Sequence, residues 1–323
     1  MALDHTPRTY DAPGWLVWLA LWTVYIVWGS TYLAIRVTVE TMPPLLAMGV
    51  RFLIAGSLMY VFLRIKRGPE GVRTTGKQRW AAAIVGAALL LGGNGMVALG
   101  EQHVSSGLAS LIIASVPLWV VLLRKLTREP VAGATLVSVV VGFMGVALLA
   151  SSNGSVSRAA ALGVALVVLA SLSWAGGSFF SNHLPLPADP LLSTTWQMLT
   201  GGLALVAAGA VTGEVAEAEI SEFSTASILA VVYLILIGSI LAFTAYTWLL
   251  QNAPISKVTT YAYVNPVVAV FLGWAVLSER VTPTILVGAA IIVASVAFTI
   301  RRETPGAPSS ASRSTEPEPA LPG

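Results

Sequence analysis

Apolar stretches of about 20 residues, separated by short polar connections, run through most of this chain. A helix needs roughly 20 apolar residues to cross the hydrocarbon core of a bilayer. The pattern therefore predicts an all-α membrane protein with ten transmembrane helices. The predicted spans are 15–37, 45–64, 79–100, 105–123, 131–150, 160–181, 190–212, 226–249, 255–277 and 283–300.

The chain also repeats itself at an almost constant offset. Trp28 and Trp174 lie 146 residues apart, as do Pro44 and Pro190. Offsets that change only by loop-sized steps indicate a duplicated unit. Each copy holds five spans, an odd number, so the second copy is predicted to cross the membrane in the opposite sense. Two inverted five-helix repeats are a common construction of secondary transporters. Later pairs are Pro117 with Pro266 and Glu129 with Glu279, at 149 and 150 residues.

Four segments follow from these patterns: a cytoplasmic tail at 1–14, repeats at 15–150 and 151–302, and a second tail at 303–323. The last segment is rich in Pro, Ser, Ala and Glu and has few apolar residues to bury. Such a composition is typical of a disordered tail.

Composition agrees with a membrane protein. The chain is 56% hydrophobic and only 10% charged, with a mean hydropathy of +0.80, whereas soluble domains carry roughly 25% charged residues. Because cysteine is absent, disulfides, thiol catalysis and cysteine-bound metals are excluded. No basic face with interleaved aromatics indicates a nucleic-acid partner. No HExxH or GxSxG motif and no mid-span histidine occurs, so no enzyme, metal site or cofactor is predicted.

Basic residues predict the orientation, because short loops rich in Lys and Arg stay on the cytoplasmic side. The longest loop on the opposite side is acidic, with four glutamates between residues 214 and 222. Both termini are therefore predicted to be cytoplasmic, in a multi-pass protein of the cell inner membrane. The basic residues after spans 2, 4 and 10 are Arg64, Lys66, Arg67, Arg73, Lys77, Arg79, Arg124, Lys125, Arg128, Arg301 and Arg302.

Three short motifs resemble a known family. Trp28-Gly29-Ser30-Thr31-Tyr32, Pro43-Pro44 and Arg51-Phe52-Leu53 resemble the first repeat of the EamA family, within the drug/metabolite transporter superfamily. The second repeat is similar to the same family at Trp174, Asn265-Pro266 and Glu279. The resemblance implies two EamA-like repeats forming a carrier for small organic solutes, commonly an exporter of amino acids, metabolites or toxic compounds.

Arg51 is a candidate substrate-binding residue. It lies six residues into span 2, about 9 Å below the end of the helix, where a charge is costly unless it faces a cavity or a partner. It could attract a substrate carboxylate. Alternatively, it extends to the interface or pairs with Glu40 or Glu101 to hold helices together.

Two tryptophans at matching positions are candidate cavity walls. Trp28 and Trp174 lie well inside their spans, and each is followed by small residues that include Ser30 and Ser178. Small neighbours let helices approach closely, and a flat ring beside them could stack on an aromatic solute. The alternative is that both rings anchor the helices at the membrane interface.

Two prolines are candidate hinges of the transport pathway. Pro266 and its repeat partner Pro117 each remove a helical hydrogen bond, and matched broken helices mark transporter sites. Beside Pro266, Tyr261 and Asn265 share a helix face as candidate ligands, and Tyr246 is a further candidate. Ordinary packing kinks remain the alternative.

Glu101 and His103 form the best candidate proton relay, because proton-driven carriers place such groups in the membrane. Uniport or exchange needs no relay and stays open. The predicted function is alternating-access secondary transport, with a non-transporting sensor or scaffold as the alternative. The predicted partners are a small-molecule substrate and membrane lipid, with the chain acting as a monomer or a homodimer.

Overall fold

The computed structural model describes residues 12–151, 158–253 and 255–303. Most of the predicted tails, at 1–11 and 304–323, lies outside the described residues, as does the connection at 152–157. Everything with regular structure in the described ranges is helical. We call the end of the bundle that holds Gly14 the terminal side and the end that holds Thr38 the distal side.

Nine of the described helices are long and apolar enough to cross a membrane, and a shorter apolar helix adds a tenth. The predicted all-α fold with ten membrane helices is therefore confirmed. In chain order, spans 1 to 10 are Gly14–Thr38, Pro44–Arg67, Gly76–Glu101, Ser106–Leu126, Gly133–Ser151, Arg158–Ser181, Pro190–Val211, Thr225–Leu250, Tyr261–Leu277 and Pro283–Glu303.

Spans 2 and 7 begin with a proline, which is favourable in the first helical turn because that position needs no N–H donor. Asp189 precedes span 7 and accepts the backbone N–H of Leu192 at 2.8 Å. The same carboxylate pairs with Arg67 at 2.9 Å, at the end of span 2. One loop residue thus begins a span of the second repeat and joins it to the first.

Spans 2 and 7, which are equivalent helices of the two repeats, pack against each other. Glycines bring their backbones into contact: a Cβ on Gly49 would lie 2.9 Å from the Val206 nitrogen and 3.1 Å from the Gly202 oxygen. Small residues are what allow such close approach between membrane helices. The two repeats are therefore joined most closely along this pair.

The third helix of each repeat contains a π-helical segment, which hydropathy did not predict. Ala87–Gly95 lies within span 3 and Leu234–Leu241 within span 8. Such i→i+5 segments occur often at functional sites. Spans 3 and 8, which are equivalent in the two repeats, therefore both depart from regular α-helix.

The predicted pair of proline breaks holds in only one repeat. Span 4 is interrupted at residues 114–115, immediately before Pro117 in the first turn of its second half. Pro266, however, lies inside the continuous helix Tyr261–Leu277, and the interruption comes earlier, at residues 259–260. A proline near the start of a helix deletes one backbone hydrogen bond without ending the helix, since neighbouring helices support the turn.

Candidate central cavity

A cavity of about 140 Å³ lies inside the bundle. Its walls come from spans 1 to 4 of the first repeat and spans 6, 8 and 9 of the second. The volume is ample for several waters or a small organic group, because one water needs roughly 10–15 Å³ on this measure. The lining residues are Trp28, Thr31, Tyr32, Ile35, Arg51, Phe52, Gly93, Asn94, Val97, Ser110, Ile113, Ala114, Val116, Pro117, Trp174, Phe243, Tyr261, Ala262, Asn265 and Pro266.

Most of the predicted site residues meet at this cavity, although they come from five different spans. Their convergence places both repeat tryptophans and both prolines around one space. The predicted residues that line it are Trp28, Arg51, Pro117, Trp174, Tyr261, Asn265 and Pro266.

Trp28 belongs to a cluster of aromatic rings. Its ring centroid lies 5.2 Å from Phe243, 5.0 Å from Tyr246 and 5.2 Å from Tyr261. Tyr246 is not among the lining residues; it lies behind them and shares a side-chain hydrogen bond with Tyr261. Edge-to-face aromatic contacts fix ring orientation, so Tyr246 supports the cavity wall from outside.

On the terminal side of this cluster, spans 1, 8 and 9 are closely packed. Leu21 of span 1, Leu249 of span 8 and Val258 before span 9 are fully buried against one another. The hydroxyl groups of Tyr25 and Thr260 form a hydrogen bond across the same layer. Apolar packing and a polar link therefore separate the aromatic cluster from the terminal side along these three spans.

Trp174 reaches the cavity from span 6, on the side of the π-helical segment of span 3. A Cβ on Gly93 would lie 2.7 Å from the Trp174 ring. The ring therefore lies directly on the backbone at Gly93, and only glycine leaves room for it there. The neighbouring Ser173 donates a hydrogen bond to the Ala88 carbonyl at 2.8 Å, which joins span 6 to the same segment.

Arg51 is 3% exposed. Its Nε donates to Ser239 Oγ at 3.1 Å, in the π-helical segment of span 8, and its guanidinium lies 4.5 Å from the Phe52 ring. Within the described residues no carboxylate lies within ion-pair distance, so the predicted pairs with Glu40 or Glu101 do not form. Burial also excludes extension of the side chain to the interface.

Asn265 and Pro266 shape the cavity from span 9. With the Asn265 amide oriented so that its nitrogen faces carbonyl groups, this nitrogen donates to the backbone carbonyl oxygens of Tyr261 and Tyr25 at 3.2 Å each. Pro266 offers no N–H to the carbonyl of Ala262 one turn earlier. Ala262 also lines the cavity. Its carbonyl oxygen is therefore a hydrogen-bond acceptor that lacks its usual helical donor.

Two predicted ligands, Ser30 and Ser178, lie outside the cavity lining. Ser30 Oγ donates to the Val27 carbonyl at 2.8 Å and contacts the Tyr233 hydroxyl at 2.6 Å, linking spans 1 and 8. Ser178 lies one turn beyond Trp174 on span 6 and is half-buried. Ser30, two residues after Trp28, lies on a different helix face, whereas Ser178 shares the face of Trp174 but lies one turn beyond the cavity.

The predicted proton relay is not assembled as a pair. Glu101 is fully buried, and neither of its carboxylate oxygens has a hydrogen-bond partner in the described structure. His103 is exposed and lines a separate distal pocket together with Arg36, Glu40 and Glu279. Arg36 and Glu279 interact electrostatically with Glu101, so these groups, and not His103, form its charged surroundings.

The lining residues that were absent from the predicted site include Tyr32, Asn94, Ser110 and Phe243. Tyr32 lies four residues after Trp28, on the same helix face, and this spacing was visible in the sequence. Asn94 is aimed by the π-helical segment around it, which the sequence did not reveal. Across the described ranges, no group of three or more His, Asp or Glu side chains is placed to hold a metal ion.

Comparison with known proteins agrees with this architecture. The sequence profile of the EamA-like transporter family matches residues 15–151 and again 161–301. The uncharacterized inner membrane transporter YedA of Escherichia coli K12 is 38% identical over 278 residues, covering 86% of this chain and 88% of YedA. The uncharacterized transporter YoaV of Bacillus subtilis is 25% identical over 283 residues, covering 87% and 95% of the two chains.

A solved structure, described only as the crystal structure of a protein, shares the fold. It has a TM-score of 0.60 at 18% identity and covers 88% of this chain and 98% of its own. The two family matches coincide with spans 1 to 5 and spans 6 to 10. This chain belongs to the EamA-like transporter family.

Proposed function

We propose that this protein is a secondary transporter that moves small organic solutes out of the cell by alternating access. The observation that carries the proposal is the central cavity, to which Trp28 and Trp174 contribute from equivalent positions of the two repeats. In transporters built from inverted repeats, the substrate site lies where the halves meet. Alternating access requires the pathway to be closed on one side of the membrane in each state. The close packing of spans 1, 8 and 9 on the terminal side supports such a closure.

The terminal side is assigned to the cytoplasm, because the Lys and Arg clusters of the short loops lie on that side. The acidic connection between spans 7 and 8 then faces outward. The relatives named as inner membrane transporters support a cell inner membrane location. Because one chain supplies every wall of the cavity described here, a monomer is sufficient for the proposed site. We also propose that the chain divides into two repeats, at 15–150 and 151–302.

Coupling to protons is proposed to depend on Glu101 without His103, given the surroundings of the two side chains. Tyr32, which lines the cavity, interacts electrostatically with Glu101. Arg36 and Glu279, which line the distal pocket, also interact electrostatically with Glu101. A buried carboxyl between a cavity and a polar pocket is a suitable proton carrier.

The test is solute flux into proteoliposomes, using radiolabelled amino-acid and metabolite pools with and without a pH gradient. We expect saturable flux in the wild type and a loss in Trp174→Ala. Trp15→Ala is the matched control, because that ring is 69% exposed at the start of span 1. Folded protein that moves no solute above empty liposomes would instead support a sensor or scaffold.

A further inference from the structure

Arg51 carries the charge of the central cavity. Among the residues that line it, within the described part of the chain, no other side chain is charged at neutral pH. A cation that is 3% exposed and has no anion beside it is costly in a membrane interior. The structure therefore holds an unbalanced positive charge beside a space that is large enough for a solute.

The contacts of the guanidinium leave donors unused. Nε donates to Ser239 Oγ at 3.1 Å, and Nη1 lies 3.6 Å from the Met48 sulfur, a weak acceptor. No hydrogen bond from Nη2 is formed within the described residues. Phe52 supports the cation through its ring face but accepts no conventional hydrogen bond. Ser239 and Phe52 therefore hold the guanidinium in place, whereas Nη2 is left free to donate to a carboxylate.

The equivalent position of the second repeat shows that helix packing here does not need a charge. Gln197 lies 146 residues after Arg51, and its Nε2 donates to Ser193 Oγ at 3.0 Å on the same helix. A neutral amide thus satisfies its surroundings in one repeat, whereas the other repeat maintains a buried cation. The difference points to a ligand on the Arg51 side.

We infer that Arg51 binds the carboxylate of the transported solute, which makes the substrate a small monocarboxylate with an apolar or aromatic body. This inference rests on the proposed function of the cavity. Arg and a carboxylate form parallel charge-assisted hydrogen bonds, while the rings of Trp28, Trp174 and Tyr261 contact the body of the solute. A dicarboxylate is disfavoured, because the second charge has no cation to meet it.

Amino acids fall within this class, because the cavity also offers acceptors for an ammonium group. Asn94 donates through its nitrogen to the Leu89 carbonyl at 3.4 Å, which leaves its side-chain oxygen free for a ligand. The Ala262 carbonyl lacks its helical donor because of Pro266. The carboxylate is the required group in our proposal, and the ammonium group is an accessory one.

The test is ligand binding to the purified full-length protein in detergent, measured as dose-dependent thermal stabilisation. The probes are matched pairs that differ only at the acid: 3-phenylpropionate with 3-phenylpropionamide, phenylalanine with phenylalaninamide, and an aliphatic pair, hexanoate with hexanamide. At least one acid should stabilise the protein saturably, and its amide should need an about 10- to 100-fold higher concentration, as for lost hydrogen bonds to a charged group.

Variants connect the effect to Arg51. Arg51→Gln should lose the preference for the acid, and Arg51→Lys should keep part of it, because the charge remains without the fork. Arg79→Gln should bind like the wild type, since Arg79 is an exposed guanidinium that also lies over an aromatic ring, at 5.8 Å from Trp196. Without ligand, Arg51→Met should unfold at the wild-type temperature or above it, because removing an unbalanced buried charge relieves a penalty.

Several results would overturn the inference. These are amides that bind as well as acids, acids that bind equally to Arg51→Gln, a panel in which no acid binds, and chloride alone protecting as well as any acid. A fall of several degrees in the unliganded Arg51→Met variant would also do so, by assigning Arg51 to structure. Flux in proteoliposomes separates the two proposals: acid-selective binding without flux rejects transport alone, and flux of neutral solutes through Arg51→Gln rejects the carboxylate site alone.

Discussion

Glu279 accepts the backbone N–H of Ser106 at 2.8 Å, although the two residues are 173 positions apart. The same carboxylate accepts the N–H of Gly107 at 3.1 Å. It thereby caps the start of span 4 from the end of span 9, where helix N–H groups have no partner of their own. A helix start in the first repeat is thus completed by a side chain of the second.

Replacing this cap should destabilise the protein. Glu279→Ala is expected to lower the free energy of unfolding by about 1–2 kcal/mol, the usual range for a lost helix cap, and to lower the thermal unfolding temperature. Glu40→Ala is the control, because that carboxylate lines the same distal pocket but is exposed and makes no described hydrogen bond. Equal unfolding temperatures for the two variants would contradict the capping role.

Ser30 should contribute to stability and not to ligand binding. Its hydroxyl lies 2.6 Å from that of Tyr233, so Ser30→Ala and Tyr233→Phe should each cost about 1 kcal/mol, the net value of a typical hydrogen bond. The double variant should cost little more than Ser30→Ala alone, because Ser30→Ala already removes the one interaction that Tyr233→Phe removes. Solute affinity, measured as concentration-dependent stabilisation, should stay at the wild-type value. A tenfold weaker affinity in Ser30→Ala would return this residue to the site.

Gly93→Ala should impair transport by displacing an aromatic ring. The added methyl group would lie 2.7 Å from the Trp174 ring, so either the ring or span 3 has to move away from the cavity. We expect the initial rate of proteoliposome flux to fall toward that of Trp174→Ala. Gly176→Ala is the matched control on the tryptophan's own helix, since its methyl group meets nothing within 4 Å. Equal rates in both glycine variants would show that the ring position is unimportant.

Gly49→Ala should weaken the joint between the repeats. Its methyl group would meet the backbone of span 7 at 2.9 Å, and overpacking of this kind costs about 1–3 kcal/mol. The thermal unfolding temperature should fall, whereas Gly133→Ala should leave it unchanged because that position is open. An unchanged temperature in Gly49→Ala would mean that spans 2 and 7 can separate freely.

Hydropathy and internal repetition were enough to predict ten spans, since both depend only on the order of residue types along the chain. The same reasoning identified Trp28 and Trp174 as candidate cavity walls, and both rings line one cavity in the structure. It also placed Arg51 within span 2, where the structure shows its side chain buried, although the hydrogen-bond partner Ser239 is 188 residues away and could not be identified.

Hydrogen-bond partners and helix irregularities could not be predicted in this way. Ser30 and Ser178 were selected for being near tryptophans in the chain, but Ser30 lies on another helix face than Trp28, and Ser178 lies one turn beyond the cavity. His103 was paired with Glu101 across two residues, but the helix ends at Glu101 and the histidine faces the distal pocket. Pro266 has the sequence of a break, and only the close packing of its neighbours Val268 and Asn265 against Gly29 of span 1 shows how the helix is supported there.

The π-helical segments of spans 3 and 8 set the rotational phase between the two halves of each helix. A π-helical turn holds about one residue more than an α-helical turn, and an α-helix turns by about 100° per residue, so converting Ala87–Gly95 to regular α-helix would rotate the distal half of span 3 by roughly that angle. Val97 would then leave the cavity, while the apolar residues of that half would shift by only about 1.5 Å in membrane depth. In these two segments, the number of residues per helical turn decides which side chains of the distal halves face a solute in the cavity.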